Sequence, residues 1–392
     1  MKTGGLLLLL APAALVAPLA GGEVSRLQRE GEYWVQALTG AVTVPAAGRL
    51  KIATRGAVAV RGEGRGDLYF RLKKRAKAMS EPEAVKVFQT FAVKTKTAGE
   101  WTYLTVMTPD INIPSPELEI RIPRSLKQVV VENRGGAIDA RELDGELKTE
   151  TIGGRVTIDR IGADVWARTG GGDVQLGRLL AAARVFSGGG AIRAESVGGE
   201  TVFETAGGEI VIREAFGPIK VSTVGNILVE RAARSVTANS GGGLIDVREA
   251  AGPVTAETSG GSIQIGRAEN VSCESVAGPI RLRGAWGALR AATGFGAIFA
   301  ELSNDRLLDS VLSTSAGDVI VTIPSNLAMR VWAQSDSSCS GGRVVSDFPE
   351  IRTRKVDSPC LKPTVAEGAI NGGGPLLRVS ATGGTVYLRR KK

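Results

Sequence analysis

Residues 236–253 read VTANSGGGLIDVREAAGP, and residues 254–270 read VTAETSGGSIQIGRAEN. Set one under the other, they align Val236 with Val254, Ala238 with Ala256, Ser240 with Thr258, Gly243 with Gly261 and Ile245 with Ile263. Within each half the apolar residues alternate at period two, as in Val236 and Ala238 or Ile245 and Val247. That spacing puts them on one face of a strand. The glycine-containing stretches between them read as turns. Each unit of about 18 residues therefore holds two short strands and two turns. One such unit cannot bury its own apolar side, whereas stacked units share a continuous core.

The same signal extends both ways. A ladder of apolar residues stands at Ile138, Val156, Val174, Ile192, Ile210, Ile227, Ile245, Ile263, Ile280, Ile298 and Val319. The steps are 18, 18, 18, 18, 17, 18, 18, 17, 18 and 21 residues. A glycine lies two positions before every one, from Gly136 to Gly317, and an apolar side chain two positions after, from Ala140 to Val321. The fold class that follows is all-β: a single-domain parallel β-solenoid (β-helix) of ~18-residue coils with irregular N- and C-terminal caps. Eleven coils stacked at about 4.8 Å run roughly 50 Å. The glycines suit sharp turns, which need either a positive φ or a backbone free of Cβ. A hydroxyl or amide column stands five residues before the ladder: Asn133, Thr151, Thr169, Ser187, Thr205, Ser222, Ser240, Thr258, Ser275, Thr293 and Thr314. These side chains are expected to bond turn backbone and one another from coil to coil. Cys273 falls at an apolar position and reads as a core residue. Three residues after the ladder, charges of alternating sign, such as Glu195, Arg213, Glu230 and Arg248, form a self-pairing surface worth about 0.2–1 kcal/mol per pair.

Composition narrows the chemistry. Among 392 residues there are 52 glycines, three cysteines and no histidine. Ser-His-Asp and Cys-His catalysis and imidazole-based zinc sites are thereby excluded. No glycine precedes a lysine, so there is no Walker-type phosphate loop. Aromatics at 5% are sparse for a nucleic-acid binder that works by stacking, and no specific nucleic acid is expected. No cofactor and no metal site is expected either.

Residues 1–20, MKTGGLLLLLAPAALVAPLA, read as a secretory signal peptide, with Lys2, an apolar run and small residues before the cut. No transmembrane span is expected after its removal. Residues 21–128 read as an N-terminal β cap region with the first coil or coils, 129–323 as the regular solenoid, and 324–392 as C-terminal coils and cap. Leu50, Ile52, Gly56, Val58 and Val60 look like an early coil. Gly342 and Val344 look like a late one, and Gly384, Val386 and Leu388 like the last. Residues 81–91 suit a short helix or cap, and 99–123 suit edge strands. Cys339 and Cys360 can pair in an oxidising compartment.

Charge gathers at the ends. The formal net charge is +9, falling to +8 without Lys2. Residues 61–77 carry +5 and residues 351–392 carry +7, which leaves −4 for the rest. Lys73, Lys74, Arg75 and Lys77, with Arg389, Arg390, Lys391 and Lys392, are the candidate anion-binding residues. Anionic envelope polymers, glycans or another envelope protein are the corresponding partners.

IRIP at residues 120–123, repeats of the form V-x-A-x-T-x-G-G-x-I-x-I, VTIP at 321–324, the SGG and SDFP segments, and the closing GGTVYLRR occur in that order. Together they resemble the bacterial putative-adhesin β-strand-repeat family over most of residues 40–392. The resemblance implies a right-handed β-helical protein of the cell envelope, with no family catalytic residues to carry over. The expected function is a non-catalytic, exported, adhesin-like structural or binding solenoid in the periplasm, cell envelope or extracellular space. Two alternatives stand beside it. One is a β-helix polysaccharide lyase or hydrolase, which can work with Asp, Glu, Arg or Lys alone. The other is an envelope stress or signalling module that binds a partner protein.

Overall fold

Each coil gives one strand to each of two parallel sheets, here named the ladder sheet and the facing sheet. The computed structural model describes residues 22–108, 114–336, 342–356 and 363–391. In the ladder sheet, Ile245–Ala250 lies between Ile227–Ala232 and Ile263–Ser275, with Ile227, Ile245 and Ile263 in register. In the facing sheet, Val236–Ser240 lies between Ile219–Thr223 and Val254–Thr258. Like therefore stacks on like. Val236, Ala238, Ile245, Val247 and Ala250 are each no more than 1% exposed. Burying one Val or Ile side chain of this kind contributes about 1.5–3 kcal/mol. The described part is a parallel β-solenoid, with one α-helix at Glu81–Gln89.

The glycine column has a sterical cause. Within it only Gly136 and Gly317 have a φ in the left-handed region. The others are glycine because the turns of neighbouring coils touch. A Cβ on Gly243 would lie 2.3 Å from the carbonyl of Gly225, and one on Gly154 would lie 1.7 Å from the Gly136 oxygen. Close approach, and not a special dihedral angle, selects glycine along the stack.

The hydroxyl column bonds backbone across coils, not its own members. Thr205 Oγ1 donates to the Gly190 carbonyl of the preceding coil at 2.8 Å, and Ser240 Oγ donates to the Gly225 carbonyl at 2.8 Å. The same oxygens accept the backbone N–H of Gly208 at 3.4 Å and of Gly243 at 2.9 Å. One position differs from expectation. Thr223, not Ser222, is buried and bonds the Gly208 carbonyl, at 2.6 Å. The coil is one residue short in this turn, so the side chain facing the turn glycines moves on by one. The other 17-residue step loses its residue at the opposite corner, where the register shifts between Glu269 and Val271.

At both ends the order of coils departs from the order of the chain. Arg49–Thr54 and Ala57–Glu63 form a coil whose inner neighbours are Gln128–Asn133 and Ile138–Leu143. Its outer neighbours are Trp101–Met107 and Glu117–Pro123, so the two strands expected at an edge form a parallel coil beyond the early one. Antiparallel strands then close the end: Asp67–Ala76 beside Glu117–Pro123, Tyr33–Thr43 beside Asp67–Ala76, and Ala92–Ala98 beside Trp101–Met107. The helix carries Pro82 in its first turn with Glu81 and Glu83, which suits a helix N-terminus. It buries Ala84 and Phe88 against Ala76 and Phe91.

The C-terminal end repeats the device. Leu376–Ala381 sits between Ser310–Ala316 and Met329–Ser335, and Thr385–Arg390 sits between Val319–Ile323 and Arg343–Ser346. The coil that is last in sequence is therefore an inner rung, and the Gly342–Val344 coil lies outside it. Thr364–Ile370 covers the facing-sheet strand Met329–Ser335 of that outer coil in antiparallel pairing and is itself flanked by Arg352–Lys355, whereas Arg343–Ser346 pairs only with Thr385–Arg390 among the described residues. Closing parallel stacks with antiparallel strands turns the sheet edges away from other chains. Cys273 is buried in the core, and burial pushes its thiol pKa up, as expected of an inert packing residue. Cys339 and Cys360 lie outside the described residues, so the proposed pairing does too.

Candidate functional site on the outer face of the ladder sheet

The cations singled out by sequence fall into two groups at opposite ends of the stack. At the N-terminal end, Lys73 donates to Glu30 at 3.2 Å, Arg75 pairs with Glu117 at 3.1 Å, and Lys77 pairs with Glu32 at 2.8 Å. Lys74 is different, because it points inward and is buried. Its Nζ donates to the Phe88 carbonyl at 3.3 Å and lies over the Phe88 and Phe91 rings. Burial lowers its pKa from the ordinary value. Lys74 thus anchors the cap helix from within.

At the C-terminal end, Arg389 pairs with Asp347 at 3.0 Å, and the Arg390 backbone N–H donates to the same carboxylate at 3.1 Å. Those contacts hold the Asp347 carboxyl below its usual range, the backbone N–H of Arg390 first among them. The Arg390 guanidinium lies 4.9 Å from the Phe348 ring centre, and Lys391 pairs with Glu301 at 2.6 Å. Lys392 lies outside the described residues. The structure does not bring the two groups together, and most of their charges already have protein partners.

A second cluster of cations arises from coil order alone. Because Ala57–Glu63 is inserted between Glu117–Pro123 and Ile138–Leu143, Arg121, Arg61 and Arg141 stand side by side in register. Tyr69 continues this row on the next strand, opposite Arg121. The adjacent row reads Arg71, Glu119, Ala59 and Asp139. Outward positions on a strand repeat every second residue, so all these side chains share the solvent face. Ala59 has only a methyl group to offer there. The shortfall leaves an open hollow of about 300 Å³ lined by Arg61, Glu119, Arg121, Asp139 and Arg141 over the backbone of Val60 and Ile120. A second hollow of about 260 Å³ shares Glu119 and Arg121 and adds Arg65, Tyr69 and Arg71.

Charges around the hollows are unequally satisfied. Arg141 is held by Asp139 through two contacts of 2.7 Å. Arg65 grips Asp67 at 2.9 and 3.2 Å and lies over the Tyr69 ring, and its hydrogen bond lowers the Asp67 pKa. Arg121 has one long contact with Glu63, at 3.7 Å. Arg61, Arg71 and Glu119 make no side-chain hydrogen bond or ion pair among the described residues. Like charges directly opposite on neighbouring strands repel, so this row favours an anion between its members. Farther along the same face, a hollow of about 410 Å³ opens around Gly177. There two of the three lining arginines are paired, Arg213 with Glu195 at 3.0 Å and Arg231 with Glu214 at 3.4 Å, while Arg178 reaches Asp159 only through its backbone N–H, at 3.1 Å. Arg61 and Arg121 are 60 residues apart in sequence, and no period links them. Only the inserted coil makes them neighbours.

Among the described residues, no group of three or more Cys, Asp or Glu side chains is placed to hold a metal ion. No helix among them is long and apolar enough to cross a membrane.

Three bacterial proteins of known structure are similar to this chain. One is a putative cell adhesion protein from Clostridium sporogenes ATCC 15579, with 8% identity over 90% of this chain and 99% of that one, and a TM-score of 0.17. Another is a putative adhesin from Bacteroides fragilis NCTC 9343, with 10% identity over 91% and 97% and a TM-score of 0.22. The third is a putative lipid binding protein from Parabacteroides distasonis ATCC 8503, with 10% identity over 91% and 97% and a TM-score of 0.20. No family model and no curated protein matches the chain.

Proposed function

We propose that this chain is an exported, non-catalytic, adhesin-like solenoid of the cell envelope that binds an anionic envelope polymer. The observation that carries the reading is the row Arg121, Arg61 and Arg141, fixed in register on three adjacent strands beside an open hollow. Guanidinium groups on a rigid sheet present parallel donors to carboxylate, sulfate or phosphate without the ordering cost of a loop. The hollow is shallow and open, which suits a polymer lying across the sheet better than a small molecule that must be enclosed. Residues 1–20 supply the reason to place it outside the cytoplasm.

The test is binding of the chain, lacking residues 1–20, to acidic polysaccharides and isolated envelope fractions at low and high salt. Binding at low salt that fades as salt is raised supports the reading, because exposed charges are screened. No binding at low salt overturns its binding half. Release of products from the bound polysaccharide overturns the non-catalytic half. Fractionation of native cells with added protease decides whether the chain is in the envelope, and recovery in the cytosol overturns that part.

A further inference from the structure

We infer that the paired hollows over Ala59 and Tyr69 form a subsite for a carboxylate-bearing sugar residue of an acidic polysaccharide. The inference rests on the proposed function above and names the ligand class and the residues. The site offers two kinds of polar partner at once. Arg61 and Arg71 are exposed and unpartnered among the described residues, and Arg121 has only its long contact with Glu63. These guanidiniums suit a carboxylate, which they can meet with parallel N–H donors. Glu119 lies in register between Arg71 and Ala59 and lines both hollows. An unpaired carboxylate is an acceptor only, so it suits sugar hydroxyl donors and repels a bare dianion. Tyr69 adds an amphipathic ring, steadied by Arg65 at 5.6 Å from its centre. A ligand that carries an anionic group and hydroxyl donors on one ring meets all three demands. Inorganic phosphate meets only the first.

The experiment measures binding to polygalacturonate, dextran sulfate and neutral dextran at low salt. It compares the unsubstituted chain with Arg61→Gln/Arg71→Gln, Glu119→Gln and Arg389→Gln/Arg390→Gln. Arg61 and Arg71 have no protein partner to lose among the described residues, so their double variant keeps the fold, checked by circular dichroism and thermal melting. Expected results are binding of polygalacturonate over neutral dextran and about tenfold or greater weakening in the Arg61/Arg71 variant. Substitution at the far C-terminal end has little effect. Glu119→Gln weakens polygalacturonate and strengthens dextran sulfate. If the Arg61/Arg71 variant binds polygalacturonate as well as the parent chain, the subsite is wrong, although envelope binding stands. If dextran sulfate is preferred and Glu119→Gln improves both polymers alike, the sugar assignment is wrong. If no acidic polymer binds the parent chain at low salt, both this inference and the proposed binding function fall.

Discussion

The regular middle of the solenoid and its two ends solve the same packing problem by different routes. From Glu146 to Ile298 each strand pairs with strands about one coil away in sequence, so chain order is coil order. At the ends, the strands of residues 49–63 lie between Trp101–Met107 with Glu117–Pro123 and the strands of residues 128–143, and the strands of residues 376–390 lie between those of residues 310–323 and Met329–Ser335 with Arg343–Ser346. The middle is held by nearest-neighbour contacts that any coil can repeat. The ends are closed by segments that must travel out and return. A repeat array alone would leave open edges at both ends, and antiparallel strands cover both sheets at the N-terminal end and the facing sheet at the C-terminal end.

The sharpest way to break that comparison is deletion of residues 376–391. If the last coil were a terminal add-on, its loss would fray one end only. As an inner rung, it separates two pairs of strands, and its buried Leu377, Val379, Val386 and Leu388 leave with it. The expected outcome is aggregation or protease cleavage within Met329–Ser335 and Thr364–Ile370, read by limited proteolysis. Retained protection of Met329–Ser335 and Thr364–Ile370 would show that the outer coil docks by itself.

Next in size is a pair of adjacent glycines in the middle. Gly243→Ala puts a methyl group 2.3 Å from the Gly225 carbonyl, whereas a Cβ on Gly242 meets nothing within 4 Å. The first is expected to cost about 1–3 kcal/mol or more, because backbone cannot yield as a side chain can. The second is expected to stay within about 0.5 kcal/mol of the parent. Equal melting temperatures would mean that the coils are not in this contact.

A smaller effect is expected from the hydroxyl column. Thr205→Val keeps the shape but leaves the Gly190 carbonyl and the Gly208 N–H without this partner. A loss of about 1–2 kcal/mol in chemical denaturation is expected. Thr201 is buried too, but its hydroxyl reaches only the Gly199 carbonyl at 3.4 Å, so Thr201→Val is the milder control.

The smallest effect belongs to the N-terminal cap. The folded pKa of Lys74 is lowered by burial from 10.5. Between the folded and unfolded values the unfolded chain holds the extra proton, so stability rises with pH across that window. The cap of the parent chain should therefore resist proteolysis slightly better as pH approaches 10.5. Lys74→Met should remove this dependence. An identical pH profile in both proteins would show that Lys74 is not buried under the helix at Glu81–Gln89.

Period and polarity decide the architecture of the middle at the level of sequence. The ladder from Ile138 to Val319, the glycine two residues before it and the hydroxyl five before it are local patterns, and each has one structural meaning once stacking is assumed. Even there, Thr223 displaced Ser222, because a one-residue deletion can sit in either turn and spacing to the ladder does not say which. A short helix or cap was also expected over residues 81–91, and the structure places a helix at Glu81–Gln89. The candidate site was not. Sequence concentrated attention on runs of consecutive cations, yet consecutive residues on a strand point to opposite faces. That is why Lys74 is buried while Lys73 and Arg75 pair with acids on the surface.

Sequence by itself thus determined the repeat, the core and the place of the glycines, since all three follow the period of about one coil, and the structure then chose close approach over positive φ as the reason for most of the glycines. Only the tertiary structure decided the order of the end coils, and with it the meeting of Arg61, Arg71, Arg121 and Glu119. Strand pairing between distant segments is set by which edge each returning chain can cover. Neither local propensity nor period encodes that choice.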